Sequence, residues 1–396
     1  MRWLSQTLAV MALNFRTIPQ RLSSSAVAIV GIAGVVVVFL SVLSIAAGFS
    51  AAMTQSGSPR RALVMRSGAD SEMTSGLGGP EVDIIKQAPG MQRDGQTALA
   101  SAELYVIIDL PKKSSPEAPA NVPMRGIEPT GIRVREEVSI TQGRMLEFGT
   151  NQVIVGRGAN AQFVGLDVGD TIVSGENRWQ VVGVFEADGG VAESEIWGDS
   201  RALQGAYRRG NSYQSVLVSL DSADSLSTFT DWLTSNPAVN VMVRRENEYY
   251  AGQSQALTTL IRTIGFGIAG LMGIGAVFGA ILTMYTAVAT RAREIATLRA
   301  LGFNTLSVLV SVLAESLVLG AIGGLIGGVA AYLAFNGYQT STMNFQTFSQ
   351  VAFAFAVTPS LLAQGLTYAL VMGLIGGLLP AIRAARLPIS SALREL

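Results

Sequence analysis

Apolar residues gather into four long runs, 26–49, 264–289, 303–335 and 359–379, while the stretch between the first two alternates polar and apolar positions. As a helix, each run is long enough to cross a hydrocarbon core of about 30 Å. No charge occurs from Leu22 to Pro59 or between Glu315 and Arg383. The first run has small residues near its end (Ala46, Ala47, Ala51) as a cleaved signal would, but a signal's apolar core is only about 7–15 residues. It therefore reads as an uncleaved transmembrane helix.

Residues 50–262 carry the pattern of a water-exposed α/β domain inserted after the first helix. Aliphatic and β-branched runs predict strands at 62–66 and 97–109 around a helix at 80–87, then strands at 215–220 and 239–244 around a helix at 222–234. Two strand–helix–strand units so far apart predict a split βαβ sheet. Between them, 143–207 is mostly β: strands at 153–155, 171–173 and 180–185 are separated by the turns Gly169-Asp170 and Gly175-Glu176. Three prolines between Lys113 and Met124 predict an exposed loop over 111–123. Residues 336–358, with Asn336, Gln339, Asn344 and Gln346, read as a short outer loop. At the start of the chain Leu4, Leu8, Met11 and Phe15 form one apolar face, so residues 1–25 predict an amphipathic helix at the cytoplasmic interface.

Charge sets the orientation. The short segments 1–25, 290–303 and 382–396 hold nine arginines against Glu294 and Glu395, which places them in the cytoplasm. Residues 50–262 hold 19 basic and 25 acidic residues, and a long domain of that kind lies on the other side. Both termini are then cytoplasmic. The chain has no cysteine and no histidine, which removes disulfides, thiolate chemistry, histidine-ligated metals and histidine acid–base catalysis. Its only lysines, Lys86, Lys112 and Lys113, follow no phosphate-binding glycine loop, so any energy from ATP is supplied elsewhere. Nothing in the charge pattern calls for a nucleic-acid partner.

Between the second and third runs lies Arg291-Ala292-Arg293-Glu294-Ile295-Ala296-Thr297-Leu298-Arg299-Ala300-Leu301-Gly302, a predicted helix of about three turns closed by Gly302. This motif resembles the coupling helix of ABC transporter permeases of the MacB/FtsX/LolC family. Gly143-Arg144-Met145-Leu146, 151–156, 166–170 and 179–185 are similar, in order, to the periplasmic core domain of that family, and residues 379–386 resemble its C-terminal close. The resemblance covers the whole layout and implies a bacterial inner-membrane permease with a periplasmic outer domain. It implies a separate P-loop ATPase that binds ATP and Mg, a dimer of identical or related permeases, and an adaptor with an outer-membrane channel in some members. No enzymatic activity and no directly bound cofactor are expected here. By the same resemblance, Arg291, Arg293, Glu294, Ile295, Leu298, Arg299 and Leu301 are the candidate ATPase-docking residues. The expected work is mechanotransmission driving substrate export or lipoprotein release. An FtsX-like regulator of a cell-wall hydrolase and a non-transporting sensor or scaffold are the alternatives.

Two further groups of residues stand out. Glu315 is the one ionisable residue well inside a predicted span, and no span contains a basic residue to pair with it. Glycines four apart, Gly275 and Gly279, Gly320, Gly324 and Gly328, and Gly373 and Gly377, predict faces where helix backbones approach closely, within the chain or between two copies.

Overall fold

The computed structural model describes residues 22–388, which fall into two compact units. The predicted N-terminal amphipathic helix lies outside the described residues, as does the end of the tail.

The helical unit comprises residues up to Ala47, Thr259–Tyr338 and residues from Phe355. Its long helices are Leu22–Gln55, Glu246–Thr290, Thr305–Phe335 and Pro359–Arg386, and all four are long and apolar enough to cross a membrane. The second begins well before the apolar run at 264, because polar residues 246–263 continue the same helix.

The third long helix has two glycine faces. On one, a Cβ at Gly320 would stand 2.8 Å from the Ala369 carbonyl oxygen and one at Gly373 2.8 Å from that of Ser316, so the third and fourth helices meet backbone to backbone. On the other, Gly323 and Gly327 press on the first helix, where a Cβ at Gly327 would lie 2.7 Å from the Ala33 carbonyl oxygen. Of the glycines singled out by spacing, Gly320, Gly324, Gly328, Gly373 and Gly377 pack within the chain, whereas Gly275 and Gly279 face open space. Helix ends follow local chemistry. Asn304 accepts from the Leu306 N–H at 3.2 Å, and Thr358 accepts from the Leu361 N–H at 3.3 Å ahead of Pro359.

The outer unit, Gly48–Thr258 with Gln339–Ala354, is built on a ten-stranded sheet. Its strands are β1 (Arg61–Arg66), β2 (Ala100–Lys112), β3 (Ser115–Ile127), β4 (Ser139–Gly143), β5 (Gln152–Gly156), β6 (Thr171–Ser174), β7 (Asn177–Glu186), β8 (Ile196–Asp199), β9 (Ser215–Ser219) and β10 (Val241–Arg245). Their order is β10-β1-β9-β2-β3-β8-β5-β7-β4, with β6 on β7. Because β9 is antiparallel to both β1 and β2, and β1 to both β9 and β10, the two strand–helix–strand units interleave as a split βαβ sheet. Helices Gly79–Ile85 and Ser225–Ser235 cover one face through Val82, Ile85, Phe229 and Leu233. The β-rich part predicted at 143–207 supplies strands β5 to β8 of the other half, around buried Trp179.

Two predicted loops are hairpins. Residues 111–123 are not a free loop: β2 and β3 pair from Leu104–Gly126 out to Lys112–Ser115. The prolines are tolerated because β3 pairs on its other side only from Met124 onward, so no N–H is needed at Pro116 or Pro119. The outer loop likewise contains paired strands, Gln339–Met343 with Gln350–Ala354, and groups with the outer unit.

Candidate functional site

The predicted coupling segment forms a helix, Ala292–Ala300, between the second and third long helices. It ends in a Schellman arrangement. Gly302 sits at φ +92 and donates to the Arg299 carbonyl at 3.1 Å, while Phe303 donates to that of Leu298 at 3.1 Å. Only glycine takes that conformation without strain, and the turn lets the chain reverse directly into the third helix.

The seven candidate docking residues separate into an inward and an outward set. Arg291 is buried at the helix N-cap; its Nη1 donates to Glu315 at 3.2 Å and its Nε to Glu294 at 3.1 Å. Glu315 thus has a basic partner, drawn from the loop between spans and not from a span. Ile295 is buried with Met284, Val288, Val308 and Val312. Arg299 donates to the Leu387 carbonyl, fastening the helix to the end of the fourth long helix. Outward stand Arg293 and Leu301, the latter 73% exposed, with Leu298 half-buried between the sets.

This division predicts unequal effects. Arg291→Leu leaves the Glu315 carboxylate buried without its guanidinium and should cost about 3–5 kcal/mol, with much of the loss recovered in Arg291→Leu/Glu315→Leu. Arg293→Leu, at the surface, should stay within about 0.5 kcal/mol of the parent. Unfolding in detergent checks the contrast, and equal losses for the two arginines would refute it.

In the outer unit the sheet assembles an ionic cluster that sequence reasoning missed. Arg125 on β3 is 2% exposed and uses all five of its N–H groups. Nε and Nη2 donate to Glu195 at 2.7 and 2.8 Å, Nη1 to Glu72 at 2.7 Å and Glu103 at 2.8 Å, and Nη2 again to Glu72 at 3.0 Å. Glu103 on β2 also accepts two bonds from Arg135, at 2.6 and 2.8 Å. Trp197 Nε1 donates to Glu195 at 2.7 Å, and Ser215 Oγ to Glu72 at 2.6 Å. Burial alone would push the Glu103 carboxyl up, but Arg135 and Arg125 outweigh it and hold it below its ordinary value.

A neighbouring set centres on Arg61, which donates to both oxygens of Glu137 at 2.7 Å and, through Nε, to Glu246 at 2.5 Å. Burial favours the neutral form of Glu137, yet its bonds from Arg61 keep the carboxyl below its ordinary value. At Glu246 burial prevails over Arg61 and the carboxyl is pushed up. Glu246 also accepts from the Ser58 N–H at 3.1 Å, joining the first residue of the second long helix to the chain just past the first. The sequence signal for all of this was a charge inside an apolar strand, Glu103 in β2 and Arg125 in β3. Among the described residues no group of three acidic side chains is placed to hold a metal ion.

Comparison with known proteins agrees with this layout. The family model for the MacB-like periplasmic core domain matches residues 25–236, more than half of the chain, and that for the FtsX-like permease C-terminal domain matches 266–389. The uncharacterized ABC transporter permease YknZ of Bacillus subtilis (strain 168) is 33% identical over 144 residues, 35% of this chain and 32% of the relative. The chain therefore spans about a third of that relative's length. Among solved structures, the extracellular domain of the noncanonic ABC-type transporter YknZ from Gram-positive bacteria aligns at 18% identity and TM-score 0.36, over 46% of this chain and 99% of that one. The periplasmic region of MacB from Actinobacillus actinomycetemcomitans aligns at 13% identity and TM-score 0.37, over 48% and 90%. On the two family matches, which between them take in the outer domain and the helical bundle, the chain belongs to the MacB/FtsX family of ABC transporter permeases.

Proposed function

We propose that this permease couples ATP hydrolysis on a separate ATPase subunit to work at its outer domain, by transmitting movement through the helical bundle. The observation that carries the reading is the two-sided helix Ala292–Ala300. Arg291, Ile295 and Arg299 fasten it to the bundle, while Arg293 and Leu301 are left at the surface. A partner pushing on that outer side acts on a helix that cannot move without the bundle. The backbone-to-backbone packing at Gly320 and Gly373 supports mechanotransmission, since little side-chain bulk is present there to absorb displacement. The uncharged stretch between Glu315 and Arg383 also fits force transmission better than passage of a charged substrate through the spans.

In this reading ATP and Mg reside on the ATPase, and the permease catalyses nothing itself. It sits in a bacterial inner membrane with both termini cytoplasmic and the outer domain periplasmic. It works as a dimer of identical or related permeases, with an adaptor and outer-membrane channel where the cargo is exported, or with a lipoprotein as the cargo released. The match of residues 25–236 to a MacB-like domain favours this over an FtsX-like hydrolase regulator.

The test is Arg293→Glu combined with Leu301→Asp, both at the surface and so expected to leave the unfolding midpoint in place. Co-purification of the ATPase and permease-stimulated hydrolysis in nanodiscs should fall at least about tenfold, the loss of a charge pair and an apolar contact. Unchanged hydrolysis with this pair of substitutions would rule out docking at this helix.

A further inference from the structure

A two-stranded hairpin is marginal in water by itself. The one between the third and fourth long helices, Gln339–Met343 with Gln350–Ala354, is supported by the outer domain with which it groups. Val351 and Phe353 are buried, and the Phe353 ring stands edge-on to Phe49 at 5.6 Å. At the tip the usual pattern is inverted. Asn344, Thr347 and Ser349 are buried, whereas Met343, Phe345 and Phe348 are exposed, and Phe348 takes the left-handed region at φ +52, a strained conformation for a bulky residue. What the inversion secures is a set of polar anchors. Tyr105 Oη meets Ser349 Oγ at 3.3 Å, Asn121 Nδ2 donates to the Phe348 carbonyl at 2.8 Å, and Lys112 Nζ donates to Gln350 Oε1 at 3.1 Å. The Ala352 N–H donates to Ser194 Oγ at 2.8 Å, and Asn344 Nδ2 donates to Gln253 Oε1 at 2.7 Å.

Two of these anchors adjoin the buried ionic cluster. The Arg125 guanidinium lies 4.9 Å from the centroid of the Tyr105 ring, and Ser194 directly precedes Glu195, which accepts two bonds from that guanidinium. At its other end the hairpin's ladder runs on to the helix ends. The Phe355 N–H donates to the Tyr338 carbonyl and the Gly337 N–H to that of Phe355, both at 2.9 Å, and the Val357 N–H donates to Asn336 Oδ1 at 3.1 Å. Movement of either helix end is thus delivered to the paired strands as one piece. We propose that this hairpin is a strap that carries displacement of the third and fourth long helices to the Arg125 cluster, with Tyr105 and Ser194 as positioning residues. This role rests on the reading of the permease as a transmitter of movement, and adds to it a route separate from the first and second long helices.

The experiment is amide hydrogen exchange of β2 and β3, residues 100–127, in nanodiscs holding the full chain and its co-purified ATPase, with and without AMP-PNP. In the parent, exchange around Tyr105 and Arg125 should change at least about threefold when the nucleotide is added. Val351→Asp places a charge in the buried face of the hairpin and should release the strap. The nucleotide response is then lost, while ATPase co-purification and hydrolysis stay at the parent level. Lys112→Met with Asn121→Leu removes two anchors at partly exposed positions. That pair should weaken the response with the outer domain still folded, which separates undocking from misfolding. A full response in Val351→Asp would overturn the strap and leave the coupling reading standing. No response in the parent, with hydrolysis intact, would overturn transmission to the outer domain and the strap with it.

Discussion

Arg125→Leu is expected to unfold the outer domain or bring it to the edge of unfolding, a loss of at least about 3–5 kcal/mol. The guanidinium is the shared counter-charge of Glu72, Glu103 and Glu195, and all three are buried. Glu103 keeps Arg135 when Arg125 is removed, but Glu72 and Glu195 lose their only ion-pair partner among the described residues. A whole domain is stable by about 5–15 kcal/mol, so this one change consumes a large share. Fluorescence of buried Trp197, whose Nε1 donates to Glu195, reports the event in the intact chain.

The variant also loses part of the pH dependence. In the parent protein Glu103 and Glu137 are held below the ordinary glutamate value of 4.5. Their contribution is therefore present above 4.5 and is lost as pH falls through their depressed folded-state values. In Arg125→Leu, Glu103 keeps Arg135 but loses the second arginine that holds its carboxyl down, so part of that contribution is already gone at neutral pH and less is lost on acidification. Glu246, pushed up by burial, contributes alike to both proteins and cancels in the difference. Parallel stability curves below pH 4.5 would show that Arg125 does not help hold the Glu103 carboxyl down.

Features written in local pattern were legible from the sequence, and those made by distant pairing were not. The strands predicted at 62–66, 215–220 and 239–244 form within a residue or two of their predicted ends, because runs such as Val216-Leu217-Val218 favour a pleated, two-sided burial. The prolines of 111–123 misled for a physical reason: proline breaks a strand only where its missing N–H is needed, and an edge position needs none. Glycines four apart announce close packing, but spacing does not name the partner: Gly320 and Gly324 meet the fourth long helix, whereas Gly323 and Gly327, on the neighbouring face, meet the first. A lone Glu315 is costly in a membrane, yet Arg291 is 24 residues away along the chain and meets it only because the helix–turn–helix reversal at Gly302 folds the segment back. The Arg125 cluster gathers residues from 72 to 195. No periodicity reaches that far.

Gly320→Leu should prevent the third and fourth long helices from closing, whereas Gly275→Leu should leave the fold intact. At Gly320 even a Cβ would stand 2.8 Å from the Ala369 carbonyl oxygen and 3.4 Å from the Gly373 Cα, so the obstacle is backbone that has no rotamer to yield. Separating the helices also removes the 2.5 Å bond from Ser316 Oγ to the Gly373 carbonyl. Overpacking of an ordinary core costs about 1–3 kcal/mol, and a rigid contact of this kind belongs at or beyond the upper end. Gly275 has nothing within 4 Å of a built Cβ and lies on a helix whose Leu271, Phe278 and Leu282 are exposed. A leucine there adds apolar surface without a clash. Unfolding midpoints in detergent separate the two variants, and a Gly320→Leu protein as stable as its parent would mean that the helices meet differently. Cross-linking of Gly275→Leu in membranes then bears on assembly. If Gly275 and Gly279 receive a second permease, the variant keeps its fold but loses the cross-link between copies; if that face meets only lipid, the cross-linking pattern is that of the parent.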